Sequence, residues 1–525
     1  MTLLQSGNIE RVPDKAWIEN DSEEVTTIFP PDLSSLIATL HHQFEGQRKI
    51  LLQKRMTYQY LFDRGKIPSY QKNSKACLGD WKVAPIPSDL LSRKVEITGP
   101  INDPKMVINM LSRNKEGERA DTAMLDFEDS MRPLWENVIN GYKNLKEAVK
   151  GTLTYEDNYK LDPQDTALIM VRVRGLHLNE KNVKVGREPV SAGLLDLLVC
   201  AYHTSQKLLE QGKTPKFYVP KCESHLEARW WNQVFTAVEK ALSLPQGTLK
   251  CTLLIETLPA AFQIEEILFE LKDRAVALNV GRWDKIFSDI KVLREDPNRV
   301  TADRSLINMN CYWMENYAKR LIKICHSRGA LAIGGMAAFT PGKSESLRQE
   351  QLAKVKKDKE VESQWGHDGC WISHPYFIKE ARNCFPKKNQ LDRHLEEFDK
   401  FPDLLPSGKG KRTLKGLRKN IKVGIAYLKG WSEGKGCVAF DNLMEDLATL
   451  EISRAQVWQW IRHQILLEEG LTVTSDLVKK LFEEELDKIL KEQKWDEKHR
   501  ERFIQAKTRA QELFLLKKLP EFMEV

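Results

Sequence analysis

Between residues 95 and 374, short apolar runs alternate with stretches of helical spacing. The runs are VEIT (95–98), TAMLDF (122–127), ALIMVRV (167–173), KFYVP (216–220), CTLLIE (251–256), VALNV (276–280), ALAIGG (330–335) and CWISH (370–374). Each is short, apolar and bounded by polar or turn residues, which is the mark of a buried strand. Between them, SHLEARWWNQVFTAVEKAL and MENYAKRLIKICHSRG keep one apolar face, and the second closes on Arg328–Gly329, a helix stop. Eight strand–helix repeats predict an α/β fold with parallel strands closed into a (β/α)₈ barrel. An open doubly wound sheet is the alternative, because a strand count does not prove closure. No strand is followed by GxGxxG, so a dinucleotide fold loses its usual support.

The flanks carry a different pattern. Residues 1–90 read as helical, with LSSLIATLHHQF and QRKILLQKRMTYQYLF in helical spacing. The barrel is expected over 91–395, and a second helical region over 396–525. Pro402, Pro406 and SGKGKR (407–412) mark the junction. Residues 479–518 have the charge of a coiled coil, but a helix pair packed on the barrel is the better expectation.

Composition narrows the partners. The chain has 525 residues and a net charge of +7, from 81 basic against 74 acidic side chains spread along its length, which gives no support to nucleic-acid binding. Nine scattered cysteines without a CxxC pair fit free thiols in a reducing compartment. No apolar run is long enough for a membrane span. The N-terminus lacks a signal-peptide core and the C-terminus does not resemble SKL, so a soluble cytoplasmic protein is expected.

Active sites in such barrels lie where the strands end. Those ends present Asp126, Glu128 and Asp129, then Arg172 or Arg174, then Lys221, Glu256, Asp284 and His374. Glu256 and Asp284 on neighbouring strands suit a hard oxygen-seeking cation such as Mg²⁺, with an ion-pair network to arginine as the equal alternative. Gly281, before Arg282–Trp283–Asp284, tilts the balance to a ligand site by letting backbone N–H groups approach an anion. In DNLMEDLATLEISRAQVWQWIRH (441–463), Asn442 is placed to cap a helix that carries Asp446 and Glu451.

Long, ordered segments then resemble one family, the A-type malate synthases. They include VEITGPINDPKMVINML (95–111), LDFEDSMRPLWENV (125–138), VRVRGLHLNEKNV (171–183), TLLIETLPAAFQIEEIL (252–268), LNVGRWDKIFS (278–288), GHDGCWISHP (366–375) and NLMEDLATLEISRAQVWQWIRH (442–463). The resemblance implies a barrel with an N-terminal helical clasp and a C-terminal helical plug. It implies condensation of acetyl-CoA with glyoxylate, and hydrolysis to malate and CoA. By motif match, Glu256 and Asp284 are the Mg²⁺ ligands, and Gly281, Arg282, Trp283 and Asp284 surround the glyoxylate carboxylate. Asp446 matches the base that takes the acetyl proton, and Arg172 the group that binds substrate and stabilises the enolate. Glu128 and Asp129 match supports of Arg172, while Ser130, His374 and Pro375 match the CoA channel. No nucleic acid, membrane or partner chain is implied, and a monomer is expected.

The chain departs from the family pattern at Arg274, Ala277 and Lys285 around the proposed metal ligand, and at Leu447 and Leu450 after the proposed base. Leu450, one turn beyond Asp446, is expected on the same helix face and narrows the pocket there. These departures keep open a related acyl-CoA and 2-oxoacid condensing enzyme or a malyl-CoA-type lyase. A catalytically silent CoA- or partner-binding protein is the alternative of another class.

Overall fold

A computed structural model describes residues 14–19, 22–156, 159–492 and 495–523. All eight apolar runs are strands: β1 Val95–Pro100, β2 Thr122–Asp126, β3 Leu168–Arg172, β4 Lys216–Val219, β5 Lys250–Ile255, β6 Ala275–Val280, β7 Leu331–Ala337 and β8 Gly369–Ile372. They pair in parallel, each with its sequence neighbour, and β8 closes on β1. The sheet is therefore a closed barrel, and the open-sheet alternative falls.

Its strands read as unbroken apolar runs because both faces are covered. Inward side chains including Met124, Met170, Tyr218, Leu254, Ala277, Ile333 and Trp371 form a separate cluster in the lumen. Outward ones such as Ala123, Leu125, Leu253 and Leu278 join the large core beneath the surrounding helices.

The two N-terminal apolar stretches form one helix, α1, Pro31–Phe62. Its 32 residues run for about 48 Å, and Pro31 sits at the first turn, where its missing N–H costs nothing. Arg55 fastens α1 to the barrel, donating through Nε to Glu227 Oε1 (2.8 Å) and through Nη2 to the Lys221 carbonyl (2.7 Å). A small sheet not anticipated from sequence joins Trp17–Ile18 to a hairpin of Asn179–Val185 and Glu188–Ser191. Its strands alternate buried and exposed positions over too few apolar residues to stand out.

The C-terminal region has its own core. Helices α2 Leu414–Ser432, α3 Leu447–Arg462, α4 Ser475–Glu492 and α5 Glu497–Phe514 bury Leu417, Leu450, Trp460, Phe482 and Phe514 together. The terminal pair α4–α5 thus packs on α2 within this region, not on the barrel as expected, because its apolar residues face that second core. The chain then returns toward the barrel, where Phe522 stacks on His177 at 4.0 Å and the Met523 N–H donates to Glu451 Oε1 (2.6 Å). Among the described residues, no helix is long and apolar enough to cross a membrane.

Candidate active site

At the end of β2, the buried Asp126 carboxylate organises the following loop. It accepts hydrogen bonds from the N–H groups of Glu128 (2.8 Å) and Ser130 (2.9 Å), and from Ser130 Oγ (2.5 Å). Arg172, the last residue of β3, donates to it through Nε (2.6 Å) and Nη2 (2.5 Å). Burial pushes Asp126 up, but the Arg172 charge together with the hydrogen bonds from Arg172, Ser130 and the Glu128 N–H outweighs it and holds this carboxyl below its usual range. Arg172 Nη1 also donates to Asp129 Oδ2 (3.3 Å), and its guanidinium lies 5.9 Å from the Trp371 ring centre. Three of its five N–H groups are thereby hydrogen-bonded, and Glu128 Oε2 stands 3.5 Å from Nη1 as well.

The strongest convergence is around Lys221, which follows β4. Its Nζ lies 2.8 Å from Asp129 Oδ2, 2.8 Å from Asp284 Oδ1, 3.4 Å from Glu128 Oε2 and 3.9 Å from Glu256 Oε1. The same Glu256 Oε1 accepts the Lys221 backbone N–H at 2.7 Å. Three buried carboxylate oxygens remain without a donor: Glu128 Oε1, Asp129 Oδ1 and Glu256 Oε2. Burial, with Glu256 close by, pushes Asp284 up to about 6 against the opposing pull of Lys221. Glu128 and Asp129 are raised by burial as well.

Gly281 ends β6 and precedes helix Arg282–Val292 without offering a side-chain cap. A Cβ at this position would stand 2.5 Å from Glu256 Cβ and 2.8 Å from Glu256 Oε2, so only glycine lets the two strand ends come this close. Its own N–H donates to Tyr317 Oη (3.1 Å) and is thus spent inside the protein. The first-turn N–H groups of Arg282, Trp283 and Asp284 are the ones left for an anion. The Arg282 side chain points elsewhere: Nη2 bonds Asp358 (2.9 Å) and pairs with Glu362.

Asp446 reaches this mouth from the C-terminal region. Val438–Phe440 and Leu443–Glu445 form a hairpin whose turn residues, Asp441 (φ 48°) and Asn442 (φ 60°), both take left-handed backbone, as a two-residue type I′ turn requires. Asn442 is therefore a turn residue and not the helix cap expected from sequence. Asp446 is the cap, accepting the Thr449 N–H (3.3 Å). The hairpin docks on the end of β7 through Met444 N–H to the Ala338 carbonyl (2.8 Å), and Leu447 N–H reaches the Asp129 carbonyl (3.3 Å). Gly436 lies so close to the loop after β2 that a Cβ would fall 2.4 Å from the Arg132 nitrogen. Arg304 adds a tie, with its guanidinium 5.4 Å from the Trp283 ring and Nη2 3.2 Å from Glu445 Oε1. Burial, then the charges of Asp129 and Asp284, raise the Asp446 pKa well above the carboxylate range.

The resulting cleft is lined by Asp129, Ser130, Arg172, Glu256, Asp284 and Asp446, among others, and encloses about 40 Å³. A larger cavity of about 210 Å³ between α1 and the segments after β4 and β5 contains none of these carboxylates. His374 and Pro375 lie one step beyond β8, outside the small cleft. His374 Nδ1 accepts the Tyr376 N–H (3.1 Å), and the Pro375 carbonyl accepts Asn114 Nδ2 (3.1 Å).

The departures from the family pattern have places in the structure, Leu447 packing half-buried against the C-terminal core. Arg274 is fully buried and bonds Asn232 (2.6 Å), Thr236 (2.9 Å) and Glu239 (3.0 Å). Lys285 bonds Asp289 (2.5 Å), and Ala277 fills the lumen. Leu450 lies in the C-terminal core, while Ala448 lines the cleft. The expectation that Leu450 narrows the pocket is thus corrected: Asp446 has non-helical backbone (ψ −169°), so helical i,i+4 spacing does not carry from it to Leu450. Lys221 was legible at a strand end but suggested no role, and Asp126 none beyond its place there. Nothing in the sequence pointed to Arg304.

A parallel barrel whose mouth collects carboxylates, completed by an acid from a separate helical region, defines an enzyme of the (β/α)₈ class. More particularly, the chain belongs to the malate synthase family. Models described as malate synthase N-terminal, TIM-barrel and C-terminal domains match residues 15–72, 168–402 and 411–523. The TIM-barrel match starts at β3, leaving β1 and β2 outside it. "Malate synthase" of Myxococcus xanthus is 44% identical over 90% of this chain and 87% of its own length. "Malate synthase A" of Escherichia coli is 43% identical over 90% and 89%. Among solved structures, the Haloferax volcanii malate synthase pyruvate/acetyl-CoA ternary complex covers 79% of this chain and 98% of its own at 14% identity and a TM-score of 0.47, too distant to bear on the site.

Proposed function

We propose that this protein condenses acetyl-CoA with glyoxylate and hydrolyses the thioester to malate and CoA, as a Mg²⁺-dependent malate synthase. The observation that carries the reading is the set of donor-less buried oxygens on Glu128, Asp129 and Glu256 beside Asp284. Such oxygens are costly unless a cation or donor meets them. Among the described residues, no three His, Cys, Asp or Glu side chains form a ready metal cage. Mg²⁺ takes one or two carboxylates and keeps waters or substrate oxygens. Glu256 and Asp284 would hold it, and when bound it supplies Lewis-acid polarisation of an aldehyde oxygen.

The residues of the chain divide the remaining work. The N–H groups opening helix Arg282–Val292 hold the glyoxylate carboxylate. Asp446 takes a proton from the acetyl methyl, and its raised pKa makes it a stronger base than an exposed carboxylate. The N–H groups of Arg172 receive the charge that develops on the thioester oxygen, with Asp126 fixing the guanidinium from behind. Ser130 Oγ is occupied by Asp126, so the place of Ser130 in the CoA channel would be through its backbone or its contact surface. We propose the same division for the chain as a whole: clasp, barrel with the metal site, and plug with the base. Nine unpaired cysteines support a reducing, cytoplasmic setting. The plug's own core supports a monomer.

The test is release of free CoA thiol by the purified protein, with the acid product identified. Thiol appearing only with acetyl-CoA, glyoxylate and Mg²⁺ together, and malate as product, is the expected result. Thiol release with a different acid, or none while Mg²⁺ and glyoxylate still bind, would move the reading to a related condensing enzyme or to a silent protein.

A further inference from the structure

We infer that Lys221 is a built-in competitor of the divalent cation for Asp284, and that it holds the metal affinity of the site down. This rests on the metal reading above. Two observations carry it. The first is the placement of Nζ, 2.8 Å from both Asp284 Oδ1 and Asp129 Oδ2, so the ammonium already bonds one proposed metal ligand while a second acceptor stands beside it.

The second observation is the backbone. Lys221 has φ 55°, a left-handed conformation that a long side chain adopts at a cost. Such strain persists where the surroundings over-determine it. Here both neighbouring peptide groups are gripped: the N–H bonds Glu256 Oε1 (2.7 Å) and the carbonyl accepts Arg55 Nη2 (2.7 Å). The strained backbone thus aims the ammonium into the carboxylate cluster and is itself held by the other proposed metal ligand.

A divalent ion on Asp284 and an ammonium on the same carboxylate repel each other, with little water between them to screen the charges. Binding of the ion would move Nζ off Asp284 and leave it on Asp129, with Glu128 in reach. A plain structural ion pair looks different. Lys285, buried at the position after Asp284, is bonded to Asp289 (2.5 Å), which is not a proposed ligand. If Lys221 were only a brace of that kind, its loss would lower stability and leave the affinity for metal alone.

Calorimetric titration of the full-length protein with MnCl₂ separates the two roles. Lys221→Met should bind Mn²⁺ about tenfold more tightly than the wild type, and Lys285→Met should stay within about threefold of it. An unchanged or weaker affinity in folded Lys221→Met would overturn the inference and leave the metal reading standing. Failure of the wild type itself to bind Mn²⁺ would remove that reading and the inference together. Should Lys221→Met not fold, the structure of the wild type with Mn²⁺ decides. Nζ should lie on Asp129 and beyond about 3.5 Å from Asp284, and a retained bond to Asp284 would sink the proposal.

Discussion

The two ends of the barrel lumen handle buried charge in opposite ways. Near the N-terminal ends of the strands, Arg93 donates to Glu96 Oε1 (2.6 Å), Thr252 Oγ1 (3.0 Å) and Tyr218 Oη (3.1 Å). Trp371 Nε1 donates to the remaining Glu96 oxygen (3.0 Å), which Tyr218 also meets. Within this set one cation faces one anion, and each of the named side chains has a partner. At the C-terminal ends, Arg172 and Lys221 face Asp126, Glu128, Asp129, Glu256, Asp284 and Asp446, and three oxygens have no donor. A balanced, closed network serves the fold. An unbalanced one is built to receive charge from outside, in keeping with the division between the two faces of such barrels.

The comparison breaks most visibly at Asp446. Asp446→Asn keeps the size and the cap acceptor but removes the base. Turnover in the thiol assay should fall by about a thousandfold, within the range of general base catalysis, while glyoxylate with Mg²⁺ still raises the melting temperature. Turnover close to wild type would move the base elsewhere.

At the other end, Arg93→Met should do the reverse. It strands Glu96 without its cation, and breaking a buried pair in this way costs about 3–5 kcal/mol. The denaturant midpoint should drop accordingly, while kcat per folded molecule stays near that of the wild type. A large loss of kcat at intact stability would mean that the closed network is part of the chemistry.

The smallest effect sharpens the contrast through pH. Asp284 is raised from 3.8 to about 6, so its contribution to folding is fully present below the unfolded value and is lost as pH rises through about 6. In EDTA, this group should make the protein less stable at about pH 7 than at about pH 5. Mg²⁺, binding the ionised carboxylate, should raise the melting temperature more at the higher pH. An equal or larger Mg²⁺ effect at the lower pH would show that Asp284 is not the group that meets the ion.

The barrel and the acids at its strand ends were legible because periodicity reports local burial. Each of the eight runs is short and apolar and became a strand; β2 and β3 end in a charged residue, and β5 and β8 end just before a charged or polar one. Motif resemblance chose Arg172 over Arg174 and gave Asp446 its role as the base. The cap at Asp446 was misread as Asn442, because turn chemistry and capping draw on the same residue types and only the hairpin's left-handed backbone separates them. Leu450 was misread because helical spacing was counted from a residue that is not itself helical.

The sequence by itself therefore determined the eight strands, their alternation with helices and which acids lie at their ends, since these depend on neighbours along the chain, whereas closure of the sheet was decided by the pairing of β8 with β1. Only the tertiary structure decided that Asp446, more than 150 residues after Asp284, closes over the same mouth, that Arg304 ties Glu445 to Trp283, and that one lysine is shared among four carboxylates. Electrostatic partners are set by distance through space, and no local pattern of residues encodes that distance.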